Sequence, residues 1–522
     1  MRPALQSALA LLLALLGVSA MIVVYLQLAI DTDFFFSSDA LYLPALYDNV
    51  VVRGGRLAQW YLTPAPYFFP DWPLYFGLRW LAGGTFHAMA AMMAAQALAL
   101  WLLTALIARR HAALPQALAA ATLATLVVCQ AAAAGYFPYA YIMLGSYHFG
   151  TFLLVLAGLL ALLSLLRLVP LRPERPVARG VQAAEAGLAL LVTLTMLSDR
   201  LYGLQFVLPS LGLLLLMRKR VPHWRRLCAA LLAGCVAGVL LYKFKLLVPN
   251  SVSMPWKLAP ARLGANLADL LAIFNTLRAQ SAPLAWYCAL YYAVLLTLAP
   301  GTLLDRGRWR LAGAEAAWLG MFSLAGTLGL LLVMALSSAP ATTRYLIPAL
   351  LLPLVLGPVL LAACWPRGAG ARGYVPLTLG ALLALWPLAG RVAASGPLRQ
   401  AYYPETIACI DRALAQYDLR HGYAGYWDAG WLSVSSQRRP TVAPVKQDLT
   451  RLKWITTMDN FRERYDFALV AADGVVDNGD GGRPSRSTVT ARHGAPRAEV
   501  ACGPLRLLAY PGGGLALEGG VR

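Results

Sequence analysis

Apolar runs of membrane-spanning length recur along residues 1–394 and leave few folds open to the chain. Pro3 to Ile30 is the first, and others centre near residues 97, 124, 159, 190, 210, 237, 293, 325, 354 and 382. A run of roughly 18 or more apolar residues matches the hydrocarbon thickness of a bilayer. The expectation is therefore a mainly α, polytopic membrane domain with about eleven spans. The first run continues through MIVVYLQLAI beyond the small residues GVSA, too long for the apolar core of a signal peptide, so it is read as a retained helix.

Charge orients these spans. Arg109 with Arg110, the stretch Arg167 to Arg179, Arg218 to Arg226, Arg306 to Arg310, and Arg367 with Arg372 occupy short alternate loops. Basic loops stay cytoplasmic, which places the N-terminus inside and everything after residue 394 outside. Of the net charge of +20 in 522 residues, Ser395 to Arg522 holds only 16 basic and 13 acidic residues, a net of +3. The high charge thus belongs to membrane topology and anionic lipid, and nucleic acid is not an expected partner. The expected location is a bacterial inner membrane with a periplasmic tail.

After the last span charged residues rise and apolar runs shorten, marking a soluble domain over 395–522. ETIACIDRALAQYDL has helical periodicity, YDFALVAADG and LRLLAY have the character of short buried strands, and DNGDGGRPSRST reads as a loop, giving a small α/β or α+β domain. Five of the seven cysteines lie within or beside apolar runs. Cys409 and Cys502 remain, both in a tail facing an oxidising compartment, and a disulfide bracketing that domain is expected.

The first loop, 31–84, is rich in Tyr, Trp, Phe and Pro; its LYLPALYDNVV and PLYFGLRWL segments suit short helices in the interface plane. On the same non-cytoplasmic side this topology gathers Asp31, Asp33, Asp39, Asp48, Asp71, Asp199, Arg200, Arg278 and Arg344, with His148 in the aromatic segment GYFPYAYIMLGSYHFG. Carboxylates that take a proton from an acceptor, cations that hold a phosphate leaving group, and aromatic faces for sugar and lipid are what lipid-linked glycosyl transfer needs. No P-loop, dinucleotide fingerprint, HExxH or nucleophile elbow is present.

With an acidic motif after the first span, interfacial helices in the first loop, Arg344-Tyr345 with Pro348 at the mouth of a later span and a soluble tail, the chain resembles the GT-C superfamily of membrane glycosyltransferases. The resemblance covers most of the membrane part and lies nearest the protein mannosyltransferase and aminoarabinose transferase branch. There the first-loop motif is often Asp-Glu-x-x-Tyr; Asp39-Ala40-Leu41-Tyr42 keeps the Asp, replaces the Glu with Ala40 and carries its Tyr one place early. The resemblance implies a polyprenyl-phosphate-linked sugar donor, a lipid, glycan or protein acceptor, Asp39 as acceptor base, and donor-phosphate contact by Arg344.

Other assignments stay open. Asp33 or Asp71 can supply the missing carboxylate, and Asp71 reads equally as a helix N-cap in PDWP. Asp31-Thr32-Asp33 has the spacing of a divalent-metal motif, although no cofactor is required by the sequence, and aspartates also mark a helix exit at the interface. Tyr42, His148, Arg200, Arg278 and Tyr345 are candidate substrate contacts. Rival functions are a lipid or glycan transporter and a non-catalytic envelope scaffold; against the former, the acidic residues cluster at one face instead of at mid-span.

Overall fold

Hydrophobic length decides the first level of structure. In a computed structural model describing residues 3–168, 179–219, 221, 223–244, 256–304, 314–365, 371–472 and 482–517, ten helices are long and apolar enough to cross a membrane. They are Pro3–Leu26, Thr85–Arg109, Leu114–Ala133, Phe149–Leu166, Arg179–Ser198, Trp224–Lys243, Ala282–Ala299, Glu315–Ala335, Thr343–Cys364 and Gly373–Ala394. The basic residues Arg172, Arg175, Arg306, Arg308, Arg310 and Arg367, and the DNGDG of the tail loop, lie outside the described residues.

The eleventh expected span, near residue 210, is shorter than a membrane helix. It is Gly203–Leu216, a π turn at Gly203–Val207 followed by the α-helix Leu208–Leu216. Pro209, in the first turn of that helix, has no N–H to give to the turn before it. The segment nonetheless carries the chain from one face of the bundle to the other. Arg179–Ser198 and Trp224–Lys243 run parallel: Glu185 pairs with Arg226 at 2.5 Å near one end, Gly234 packs on Ala189 and Val192, and Gly238 on Thr193 and Met196. A Cβ at either glycine would sit 2.5 Å from its neighbour, so the small residues spaced four apart set the close approach.

Small residues also centre the bundle. Leu114–Ala133 has eight alanines among its 20 residues and is buried along most of its length, which lets four other spans close around it. Polar groups knit the same contacts: Thr122 Oγ1 donates to the Ala10 carbonyl at 2.9 Å, and Trp101 Nε1 to Thr122 Oγ1 at 3.0 Å. On the face carrying the basic loops, Arg110 binds Glu315 at 3.0 Å and also reaches Ser164 Oγ and the Leu163 carbonyl, tying three spans together.

The C-terminal region is a mixed sheet with helices. Its strands are β2 (His421–Gly425), β3 (Thr441–Val445), β5 (Phe467–Ala471), β6 (Ala498–Cys502) and β7 (Leu505–Ala509), in the order β3-β2-β5-β7-β6. The first three are mutually parallel and the last two antiparallel. Helix Glu405–Gln416 presents Ile407, Ile410, Ala413 and Leu414 to this sheet at helical spacing. The Cys409–Cys502 disulfide staples the helix to β6, with the Cα atoms 5.6 Å apart.

Two joints fasten this region to the membrane half. β1 (Trp60–Tyr61), in the first loop, pairs antiparallel with β4 (Thr456–Thr457). Ser38 Oγ donates to the carbonyls of Tyr426 and Trp427 at 2.7 and 2.8 Å, the first two residues of helix Tyr426–Ser435. Gly430 of that helix rests on Ser38, where a Cβ would approach Oγ to 2.6 Å.

Candidate functional site

Between these joints and one end of the bundle lies a cavity of about 830 Å³. Its walls come from the first loop, the segment before the fourth span, the turn after the fifth, the turn before Thr343–Cys364, and Trp454 with Ile455 from the C-terminal region. The site therefore draws on parts of the chain separated by up to about four hundred residues in sequence.

Asp39 sits on this wall in the tight turn between short helices Thr32–Phe35 and Tyr42–Tyr47. Its carbonyl accepts from Ser146 Oγ at 3.4 Å and from the Tyr42 amide at 3.3 Å. The Tyr426 hydroxyl, from the C-terminal region, donates to Asp39 Oδ1. Burial raises the Asp39 carboxyl above the ordinary aspartate range, while the Tyr426 hydrogen bond and the Arg344 charge pull the other way. Such a carboxylate is more basic than one in water.

Arg344 enters from the 3₁₀ turn Thr343–Leu346 that opens the next span, with Thr343 Oγ1 held 2.8 Å from the Tyr141 hydroxyl. Arg344 lines the cavity, and its Nε is buried with no hydrogen-bond partner among the described residues. A buried charged donor left unpaired is costly.

A third group faces the same space. His148 Nδ1 lies 2.5 Å from Asp199 Oδ2, and His148 Nε2 lies 3.3 Å from the Tyr67 hydroxyl. Asp199 also accepts from Thr151 Oγ1 at 2.7 Å and from the Leu201 amide at 3.1 Å. Burial alone would raise the Asp199 carboxyl, but the His148 charge and these hydrogen bonds hold it below the usual range. Tyr67 and His148 both have positive φ, 59° and 67°, backbone conformations that non-glycine residues hold only where surroundings enforce them. Backbone bonds from the Tyr67 amide to the Ser198 carbonyl (3.3 Å) and from the Phe69 amide to Ser198 Oγ (3.0 Å) fix the first loop to the exit of the fifth span.

Of the sequence-derived candidates, Asp39, Tyr42, His148, Arg200, Arg344 and Tyr345 come together on this cavity. Tyr42 is anchored through its hydroxyl to the Pro66 carbonyl at 3.1 Å, and Arg200 stacks over the Tyr242 ring at 4.2 Å. Tyr345 packs against His148 and Trp256, with centroids 5.7 and 5.2 Å away.

Asp31, Asp33, Asp71 and Arg278 do not line the cavity. Asp31 caps the turn Thr32–Phe35 through the Phe34 amide at 3.2 Å, and Asp33 beside it is exposed. Among the described residues no three His, Cys, Asp or Glu side chains are grouped to hold a metal ion. Asp71 is the first residue of helix Asp71–Ala82, with Pro70 at the cap position, so it is not the N-cap that PDWP suggested. It is fully buried against Gly150, and burial, then the nearby Asp199 charge, raises its carboxyl well above the aspartate range. Arg278 is exposed in the last turn of helix Leu263–Gln280. Tyr67, Tyr147, Trp256, Tyr426 and Trp454 escaped the sequence reading as individual residues. An aromatic-rich loop was legible, but which rings face a cavity depends on packing.

The architecture is a bundle containing ten helices long and apolar enough to cross a membrane, with an appended mixed-sheet region. The crystal structure of the oligosaccharyltransferase of Archaeoglobus fulgidus, in the apo form, has a similar fold: TM-score 0.51 over 89% of this chain and 69% of that one, at 11% sequence identity. No protein-family model matches the sequence, and no curated protein matches it significantly.

Proposed function

We propose that this protein is a glycosyltransferase that moves a sugar from a polyprenyl-phosphate donor to an acceptor at the non-cytoplasmic membrane face. The observation that carries the proposal is the pairing, on one cavity, of a carboxylate of raised basicity, Asp39, with a buried arginine, Arg344, whose Nε has no partner among the described residues. The similarity of fold to an oligosaccharyltransferase supports the same reading. The acceptor is a lipid, glycan or protein of the cell envelope.

In this reading Arg344 forks onto the donor phosphate. Asp39 takes the proton from the acceptor hydroxyl or amine as its oxygen or nitrogen attacks the anomeric carbon from the face opposite the phosphate. The attack inverts that carbon, and the electron pair of the breaking bond leaves on the phosphate. Positioned base catalysis and a fixed cation each contribute roughly a hundredfold or more. The basic face of the bundle then lies in the cytoplasm and the C-terminal region outside, as in a bacterial inner membrane with a periplasmic domain.

The test is transfer from radiolabelled polyprenyl-phosphate-linked glucose, galactose and mannose in membranes holding equal amounts of folded wild-type or variant protein. Wild type is expected to transfer label, with Asp39→Asn and Arg344→Ala reduced by at least about a hundredfold. Full activity of Asp39→Asn removes Asp39 from catalysis. Absence of transfer by wild type together with movement of the lipid across vesicles makes the protein a transporter.

A further inference from the structure

The Asp199, His148 and Tyr67 chain is more than loop packing requires. His148 and Asp199 are nearly inaccessible, joined by a 2.5 Å contact, and yet both line the cavity with Tyr67. The short contact makes Asp199 the acceptor of the His148 Nδ1 proton, which aims Nε2 at the Tyr67 hydroxyl. Two left-handed residues, Tyr67 and His148, present this pair of groups to each other. The groups facing the imidazole are Asp199 from the end of the fifth span, Tyr67 from the first loop and Tyr345 from the turn before Thr343–Cys364. Arg344 and Asp71 stand in the next layer, both close enough to act electrostatically on Tyr67. Arg344 also acts electrostatically on Asp39, so one cation influences both the proposed base and the Tyr67 hydroxyl.

We infer that Asp199, His148 and Tyr67 form a proton relay that delivers a proton to the phosphate oxygen of the departing polyprenyl phosphate, making His148 with Tyr67 the general acid opposite Asp39. The inference rests on the glycosyltransferase reading above. In the step, the acceptor X–H bond breaks to Asp39, the X–C1 bond forms, and the C1–O bond to phosphate breaks with its electron pair on oxygen. That oxygen takes the Tyr67 hydroxyl proton while Tyr67 takes the Nε2 proton of imidazolium His148. Asp39 then loses its proton to water and His148 regains one, so no other reactant is consumed.

The departing polyprenyl phosphate is a phosphate monoester whose second ionisation lies near about 6, so its oxygen can take up a proton near neutral pH. Burial raises the Tyr67 hydroxyl well above its ordinary range. Tyr67 therefore stays neutral and passes a proton only when His148 supplies one. Asp199 stabilises the imidazolium before transfer and is a positioning residue.

The experiment measures kcat and KM against pH for whichever lipid-phosphate hexose wild type transfers, in wild type, Tyr67→Phe and His148→Gln. Wild type is expected to give a bell-shaped kcat profile. Both variants should lower kcat by about a hundredfold with KM little changed, and should lose the alkaline limb while keeping the acid limb set by Asp39. Asp199→Asn should shift the alkaline limb to lower pH. Loss of the acid limb in His148→Gln would overturn the inference by making the dyad a base, and unchanged profiles in both variants would make it structural. Where His148→Gln does not fold, Tyr67→Phe, which leaves the dyad intact, decides between the same outcomes. If wild type transfers no sugar from the panel, the glycosyltransferase reading falls and the relay with it.

Discussion

The hydroxyl of Tyr426, in the C-terminal region, donates to the carboxylate of Asp39, in the first loop of the membrane half. The bond spans 387 residues of sequence and lies beside Ser38, whose hydroxyl donates to two carbonyls at the start of the same helix. The C-terminal region is therefore part of the wall around the candidate base, with Trp454 and Ile455 on the same cavity.

Replacing Tyr426 with Phe should move the acid limb of activity to higher pH. The phenol hydrogen bond favours the ionised form of Asp39, so its loss raises the carboxyl further, and the base is formed only at higher pH. A hydrogen bond to a charged group is worth about 1.5–3 kcal/mol, which corresponds to roughly one to two pH units. Transfer rates measured from pH 4 to 8 check it, and an unmoved limb would separate Tyr426 from the base.

Arg344→Lys keeps the charge and loses the planar fork. A lysine cannot satisfy a phosphate through two parallel bonds, and one lost charged hydrogen bond of about 1.5–3 kcal/mol is expected to raise the donor KM by roughly ten- to a hundredfold. Steady-state kinetics with varied donor concentration distinguish this from a uniform loss of kcat.

Asp71→Asn is expected to fold and to gain relative stability as pH rises. The native Asp71 carboxyl is raised by burial and by Asp199, so the folded state binds its proton more tightly than the unfolded chain does. The sign follows: wild type loses stability as pH climbs above the unfolded value, near about 3.9, through the raised folded one. The amide variant has no such loss. Thermal melts of the two proteins in detergent should therefore diverge with increasing pH, wild type lying progressively lower. In the same pocket Gly150→Ala should destabilise by about 1–3 kcal/mol, because its Cβ would run into the Asp71 carboxylate.

Removing the Cys409–Cys502 link by a double serine substitution should loosen the C-terminal sheet without dissolving the helical bundle. The bond closes a sequence separation of 93 residues, and loss of a native link of this kind typically costs about 2–4 kcal/mol. Limited proteolysis is expected to cut the C-terminal region of the variant first. Equal resistance of both proteins would refute the expectation.

Legibility followed the range of the interactions involved. Hydrocarbon length is local, so the spans and the change to a less apolar tail could be read along the chain; amphipathic spacing likewise marked Glu405–Gln416, and the tail's only two cysteines marked their link. The segment near residue 210 misled because apolarity does not reveal a π turn beside Pro209 or the length of its helix. Asp39 and Arg344 stood out as charges at span mouths, but Asp31, Asp33, Asp71 and Arg278 looked the same in sequence. What separates them is where the folded chain turns. Asp31 is used by a local cap and Asp71 is buried under Gly150, while Asp39 meets a phenol from the far end of the chain. Local periodicity and hydropathy therefore suffice for membrane elements, whereas the site's proton affinities arise from desolvation and long-range neighbours that exist only once those elements have packed.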